Sequence, residues 1–171
     1  MTRLLGIDLG TRRVGLAIAE EGELRARPLT TIPRRRTTAA DAAALATIVA
    51  ANGVGELVVG LPLDMRGTEG AMATETRQWA LDIAWETGLP VRLRDERLSS
   101  HVAEARVGAA GRGRSGGPPG PVRRAAHRAR VDREAAAVIL EDELEARRHG
   151  TAGELVSPGG PRATTNDEEE A

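Results

Sequence analysis

The chain has 171 residues and a formal net charge of −1, which predicts one domain large enough to bury a core. All 24 basic residues are arginine and no cysteine is present, which excludes disulfides, thiolate metal ligands and cysteine nucleophiles and predicts a cytoplasmic protein. With two Trp and no Phe or Tyr, the core must be aliphatic and alanine-packed, and stacking platforms for single-stranded bases are scarce.

Leu4, Leu5 and Ile7 predict a buried first strand that starts too early to leave room for a signal peptide, and no apolar run approaches a membrane span. A turn at Gly10–Arg12 and the alternation of Val14, Leu16 and Ile18 predict a second strand returning antiparallel. Asp8 stands inside the first strand, where Asp is disfavoured and a charge needs a partner or a metal. Such an Asp either caps its own turn or marks a site. Residues 24–32 predict a third strand, and Pro28 places it at an edge or at a bulge. Arg34–Arg36 read as a solvated loop before a helix near 38–51 that Gly53 stops.

The continuous apolar run Leu57–Leu61 predicts a strand covered on both faces, followed by a polar, glycine-punctuated loop over Asp64–Gly70. A helix near 71–87 carries Met72, Thr76, Trp79, Ala80 and Ile83 on one stripe, with Trp85 near the opposite side. Val91–Arg94 forms the fifth strand and leads to Asp95 and Glu96, and Ser99 or Ser100 can cap the helix that follows and ends at Gly111.

Residues 111–130 read as a mobile basic loop, with Arg112, Arg114, Arg123, Arg124, Arg128 and Arg130 set among Gly and Pro. The last helix, roughly 131–148, puts Asp132, Ala135, Ala136 and Ile139 on one face. Small residues one turn after the Asp let the helix lie close to the sheet and carry Asp132 inward. From 149 to 171 the Gly/Pro/Thr-rich stretch ending in Asp167–Glu170 predicts a disordered acidic tail.

The order predicts an α/β fold in residues 1–148: a mixed five-stranded sheet, three antiparallel strands then two parallel, flanked by helices. Three carboxylate groups then fall where they can meet: Asp8, the pair Asp95 and Glu96, and Asp132. Converging acids repel, and the usual relief is a divalent cation. Oxygen-only ligands point to Mg²⁺ or Mn²⁺.

Gly6-Ile7-Asp8-x-Gly10-Thr11-x-Arg13-x-Gly15-x-Ala17, Val59-Gly60-Leu61-Pro62-Leu63, Asp95-Glu96-Arg97-Leu98-Ser99 and Val131-Asp132-x-x-Ala135-Ala136 resemble the motifs of the YqgF (RuvX) family, in order and spacing, over about residues 3–146. The resemblance implies an RNase H-like fold in a bacterial cytoplasmic protein. It implies a nuclease that matures the 5′ end of pre-16S rRNA, with resolution of branched, four-way DNA as the alternative. It implies an acidic centre of Asp8, Glu96 and Asp132, with Asp95 in reserve, around Mg²⁺ or Mn²⁺. Arg13, Arg97 and the arginines of 111–130 would meet the phosphate backbone. The chain would act as a monomer or, on a symmetric junction, as a homodimer.

Two departures stand out. The family loop usually reads Asn-Met-Asp-Gly where this chain has Asp64-Met65-Arg66-Gly67, so Asp64 is not counted as a ligand. Related resolvases carry a Glu at the end of the fourth strand, where this chain has Gly60-Leu61-Pro62 and Glu96 would replace it. Asp8-Leu9-Gly10-Thr11 also resembles the phosphate loop of sugar-kinase and actin ATPases, which need a second domain that this length does not provide. A third reading is an assembly factor that binds rRNA without cutting it and keeps the acids as a structural metal site.

Overall fold

A computed structural model describes residues 1–113 and 116–159. The elements run β1 (Arg3–Leu9), β2 (Arg13–Glu20), β3 (Arg27–Pro33), α1 (Thr38–Asn52), β4 (Glu56–Leu61), α2 (Ala71–Thr87), β5 (Val91–Asp95), α3 (Ser99–Val107), α4 (Pro121–Arg148) and β6 (Glu154–Val156). The strands form one sheet in the order β3-β2-β1-β4-β5-β6. β1, β4 and β5 are parallel, whereas β2, β3 and β6 run antiparallel to their neighbours.

Successive strand side chains point to opposite faces, and the core divides accordingly. Leu5 and Ile7 of β1 pack with Leu45 of α1 and with Trp79 and Ile83 of α2. Leu4 of β1 and Val58 of β4 pack instead against Ile139, Leu140 and Leu144 of α4. Asp8 follows Leu4 and Gly6 by steps of two, so the pleat turns it to the α4 face. Pro28 lies on edge strand β3 opposite Ala17, where the β2–β3 register shifts, so the proline costs the sheet no interior hydrogen bond. Trp79 is buried and Trp85 half exposed, as the helical stripe predicts, but Met72 at the start of α2 is exposed.

Three expectations are corrected. The sheet has six strands, not five: within the stretch read as tail, β6 pairs with β5, and Glu154 forms an ion pair with Arg77 of α2 at 2.8 Å. The stretch read as a loop over 111–130 turns helical at Pro121, with Gly120 as N-cap and Pro121 in the first turn. Ala and Arg are strong helix formers, so this basic segment extends α4 by ten residues ahead of 131. α3 ends earlier than expected, at Val107 before Gly108, and Leu98 rather than a serine occupies its N-cap. Arg114 and the acidic run Asp167–Glu170 lie outside the described residues.

Candidate active site

Three glycines let acids gather on the α4 face. A Cβ on Gly6 would stand 2.6 Å from the Ala136 carbonyl oxygen, and one on Gly15 would stand 2.1 Å from that of Asp132. The β1–β2 hairpin and α4 therefore meet backbone to backbone, helped by Ala135, Ala136 and Ala137, all buried. Gly15 is the direct cross-strand partner of Asp8, so the contact that seats α4 on Gly15 also brings Asp132 beside Asp8. The third glycine is Gly60 of β4. A Cβ there would lie 2.0 Å from Glu96 Oε2. The Glu96 carboxylate thus fills the space that a side chain from the end of β4 would take.

The backbone of Glu96 is held from both sides. Its N–H donates to the Leu61 carbonyl at 3.2 Å, and its own carbonyl accepts from the Ser99 N–H at 2.9 Å and the Ser99 hydroxyl at 3.0 Å. Ser99, read from the sequence as a cap, is buried and anchors the Glu96 turn instead. Asp95 is turned elsewhere. It accepts from the Arg97 N–H at 3.0 Å and pairs with the Arg97 guanidinium at 2.7 Å. Asp64 caps its own loop by accepting from the N–H groups of Arg66 and Thr68.

Electrostatics mark the same cluster. Burial, and then the like charge of Asp132, push the Asp8 carboxyl up to about 7, with Arg13 acting in the opposite sense. Burial, and then the charges of Asp8 and Asp95, push Glu96 up to about 8. Burial alone would also raise Asp95, but the hydrogen bonds and charge of Arg97 hold it below its ordinary value. Asp8 thus links the other two: Asp132 raises its carboxyl, and Asp8 in turn raises that of Glu96.

The donor set suits a hard divalent cation. All three side chains offer oxygen, and Glu96 Oε2 is buried with no hydrogen-bond partner among the described residues. Among the described residues no three acids or histidines already surround a single ion position. The Asp132 carboxylate is occupied by Arg13, whose Nε donates to Oδ2 at 2.5 Å.

The arginines predicted to meet phosphate are spread differently. Arg124, Arg128 and Asp132 follow one another at four-residue steps, so one row of α4 runs basic toward the acids. Arg130, two residues after Arg128, projects from nearly the opposite side of the helix. Arg123 Nη1 donates to the Arg112 carbonyl at 2.5 Å, tying the preceding loop to the helix. Arg97 is engaged by Asp95.

Sequence reasoning missed two supporting groups. Arg34 is no solvated loop residue: its Nε donates to buried Asp41 at 3.0 Å and its Nη1 to the Gly10 carbonyl at 3.1 Å, fixing the turn after Asp8. Arg106 of α3 bridges Glu134 and Glu141 of α4, which secures the helix that follows Glu96. A glycine inside a fully buried strand, as at Gly60, was the available signal of a close approach. A salt-bridged Asp41 in an alanine-rich helix gave none.

An antiparallel hairpin leading into a parallel sheet, with acids at the carboxyl ends of β1 and β5 and a helix closing over them, defines an RNase H-like α/β protein. The RuvC of T. thermophilus in complex with a Holliday junction substrate shares this fold at a TM-score of 0.52 and 18% identity, over 90% of this chain and 99% of that one. A second T. thermophilus RuvC structure matches at a TM-score of 0.50 and 19% identity, over 89% of this chain and 99% of that one. The family model described as "RuvX: Holliday junction resolvase" matches residues 2–146, and the chain belongs to that family. A relative from Anaeromyxobacter sp. (strain Fw109-5), named "Putative pre-16S rRNA nuclease", is 46% identical over 145 residues, 85% of this chain and 98% of the relative. One of the same name from Chloroflexus aggregans is 39% identical over 146 residues, 85% of this chain and 95% of the relative.

Proposed function

We propose that the chain is a metal-dependent endonuclease that hydrolyses phosphodiester bonds in 5′-end maturation of pre-16S rRNA in the cytoplasm, with Asp8, Glu96 and Asp132 as its catalytic acids. The observation that carries this reading is that Asp8 is coupled by charge to two further acids, Asp132 and Glu96, and that Glu96 Oε2 is buried with no hydrogen-bond partner among the described residues. The names of the curated relatives support the substrate, and the family description keeps four-way DNA as the second one to test. Among the described residues no helix is long and apolar enough to cross a membrane.

Asp8, Glu96 and Asp132 would hold Mg²⁺ or Mn²⁺, with Asp95 in reserve. Once bound there, the cation would supply activation of a water and stabilisation of the leaving oxygen. The protein's own residues do the rest. Asp8 is the most rigidly placed acid, being mid-sheet and paired to Gly15. Glu96, held by Leu61 and Ser99, keeps its carboxylate over Gly60. Arg124 and Arg128 lead the phosphate backbone along α4 toward Asp132, adding affinity that falls with salt and carries no sequence information. Arg13, Arg97, Arg112, Arg114, Arg123 and Arg130 complete the basic set, each with the same salt-dependent role.

The test is side-by-side cleavage of a 5′-extended 16S precursor transcript and a synthetic four-way DNA junction, with Mg²⁺ or Mn²⁺. Cutting of the transcript that Asp8→Asn and Asp132→Asn abolish supports the proposal. Cutting of the junction alone moves the substrate to DNA and calls for a homodimer in place of a monomer. RNA binding without cleavage, equal in wild type and Asp8→Asn, makes the protein an assembly factor.

A further inference from the structure

A cavity of about 370 Å³ opens beside Asp132 and is lined by Gly10, Thr11, Arg12, Arg13, Arg128 and Asp132. Three arginines face one carboxylate there. Among the described residues Arg13 alone of the three has an ion-pair partner, and that partner is Asp132, at 2.5 Å. Arg12 and Arg128 have none, so their charges face the cavity or solvent.

The walls are fixed. At the turn, the Gly10 N–H donates to the Arg13 carbonyl at 2.9 Å, and the Arg12 carbonyl accepts from the Arg34 N–H at 2.9 Å. The Arg34 guanidinium, itself anchored on buried Asp41, holds the Gly10 carbonyl. On the other side the Thr31 hydroxyl donates to the Ala129 carbonyl at 2.7 Å, pinning α4 next to Arg128. A rigid cup with spare positive charge suits a planar or tetrahedral oxyanion. Arginine forks match phosphate oxygens particularly well.

We infer that this cup seats a backbone phosphate of the nucleic acid next to the one that is cut, and that Arg13 is shared between this phosphate and Asp132. The inference rests on the nuclease reading above and deepens it. With the cup empty, Arg13 stands on Asp132 where a divalent cation would otherwise have a ligand. When a phosphodiester enters, its oxygens compete for the same guanidinium, and Asp132 is released to the metal. Nucleic acid and metal then favour each other's binding, reciprocally, through one side chain. Arg13 is thereby a positioning residue for Asp132 and a contact for substrate.

Two measurements on the full chain test this without relying on turnover. The first follows the ¹⁵N–¹H signal of Arg13 Nε in metal-free protein, assigned by its loss in Arg13→Lys. Addition of a six-nucleotide single-stranded RNA should move this signal, and Asp132→Asn should move it before any RNA is added. Arg128→Ala should weaken the RNA-induced shift.

The second measures Mn²⁺ affinity by calorimetry in the absence of RNA. Arg13→Ala should tighten it at least about fivefold, while Arg12→Ala, which removes the same charge without freeing Asp132, should change it less than about twofold. An Arg13 signal that RNA leaves in place, or equal Mn²⁺ gains in Arg12→Ala and Arg13→Ala, overturns the inference. If Asp8→Asn abolishes metal-dependent cleavage while the Arg13 signal stays in place, the cup fails and the nuclease reading stands. If the signal moves as expected but Asp8→Asn still cuts, the reverse holds.

Discussion

Glu96 Oε2 lies where a Cβ on Gly60 would be, 2.0 Å from that ideal position, and Ile139 Cδ1 lies 2.6 Å from it. The end of β4 and the turn after β5 therefore share one side-chain volume, and Glu96 has it. Gly60→Ala should move the flexible carboxylate and leave the sheet in place, at a stability cost of about 1–3 kcal/mol. Cleavage should fall roughly 100-fold, as expected when a catalytic group is displaced by about 1 Å. Comparing kcat with the urea midpoint of this variant separates the two effects, and full activity would show that Glu96 need not sit on Gly60.

Asp8 and Glu96 give the metal-free protein a definite pH dependence. Their carboxyls titrate near 7 and 8 in the folded chain, against 3.8 and 4.5 as ordinary values. Between those limits the folded state holds protons that the unfolded state has released, so stability falls as pH rises from about 4 to 8. At about 1.4 kcal/mol per pKa unit, shifts of this size make the loss several kcal/mol across the range. Mn²⁺ should restore stability most at the alkaline end, because it binds the deprotonated acids. Thermal unfolding from pH 5 to 8.5, with and without Mn²⁺, checks this, and Asp8→Asn should flatten the metal-free curve. A metal-free curve that rises over that range would contradict it.

Far from the site, Glu143 is fully buried and carries a network of charges. It accepts from Arg147 Nε at 2.9 Å and from the Gly153 N–H at 2.8 Å, while Arg92 and Arg147 both also reach Glu56. Removing one member of a satisfied buried network leaves charge and backbone unpaired. Glu143→Ala should cost about 3 kcal/mol in urea unfolding and loosen β6 first, because Gly153 leads into that strand. A cost below about 1 kcal/mol would show that Glu56 alone suffices for the two arginines.

The sequence announced the elements whose signals are local. Asp8 is conspicuous as a charge in an apolar strand, Pro28 declares an edge, and Asp132-x-x-Ala135-Ala136 announces a helix pressed against a sheet. It separated Asp95 from Glu96 only by resemblance, because which neighbour turns inward depends on Arg97 taking Asp95 and on Gly60 leaving room across the sheet. β6 escaped notice because three residues with one buried side chain carry almost no periodic signal; its partners, β5 and Arg77, are distant in sequence. The first ten residues of α4 were hidden by composition. Arginines among Gly and Pro look like a linker until Pro121 is recognised as a helix start.

In the proposed function Glu96, ahead of its reserve Asp95, acts with Asp8 and Asp132. Single-turnover cleavage of the 5′-extended 16S precursor by Glu96→Gln and Asp95→Asn tests it most directly. Glu96→Gln should lower the rate at least about 100-fold, as expected when an essential carboxylate is lost, with the fold intact. Asp95→Asn should stay within about tenfold of wild type, as a residue that only orders Arg97. The reverse order, or equal losses in both variants, would contradict the account.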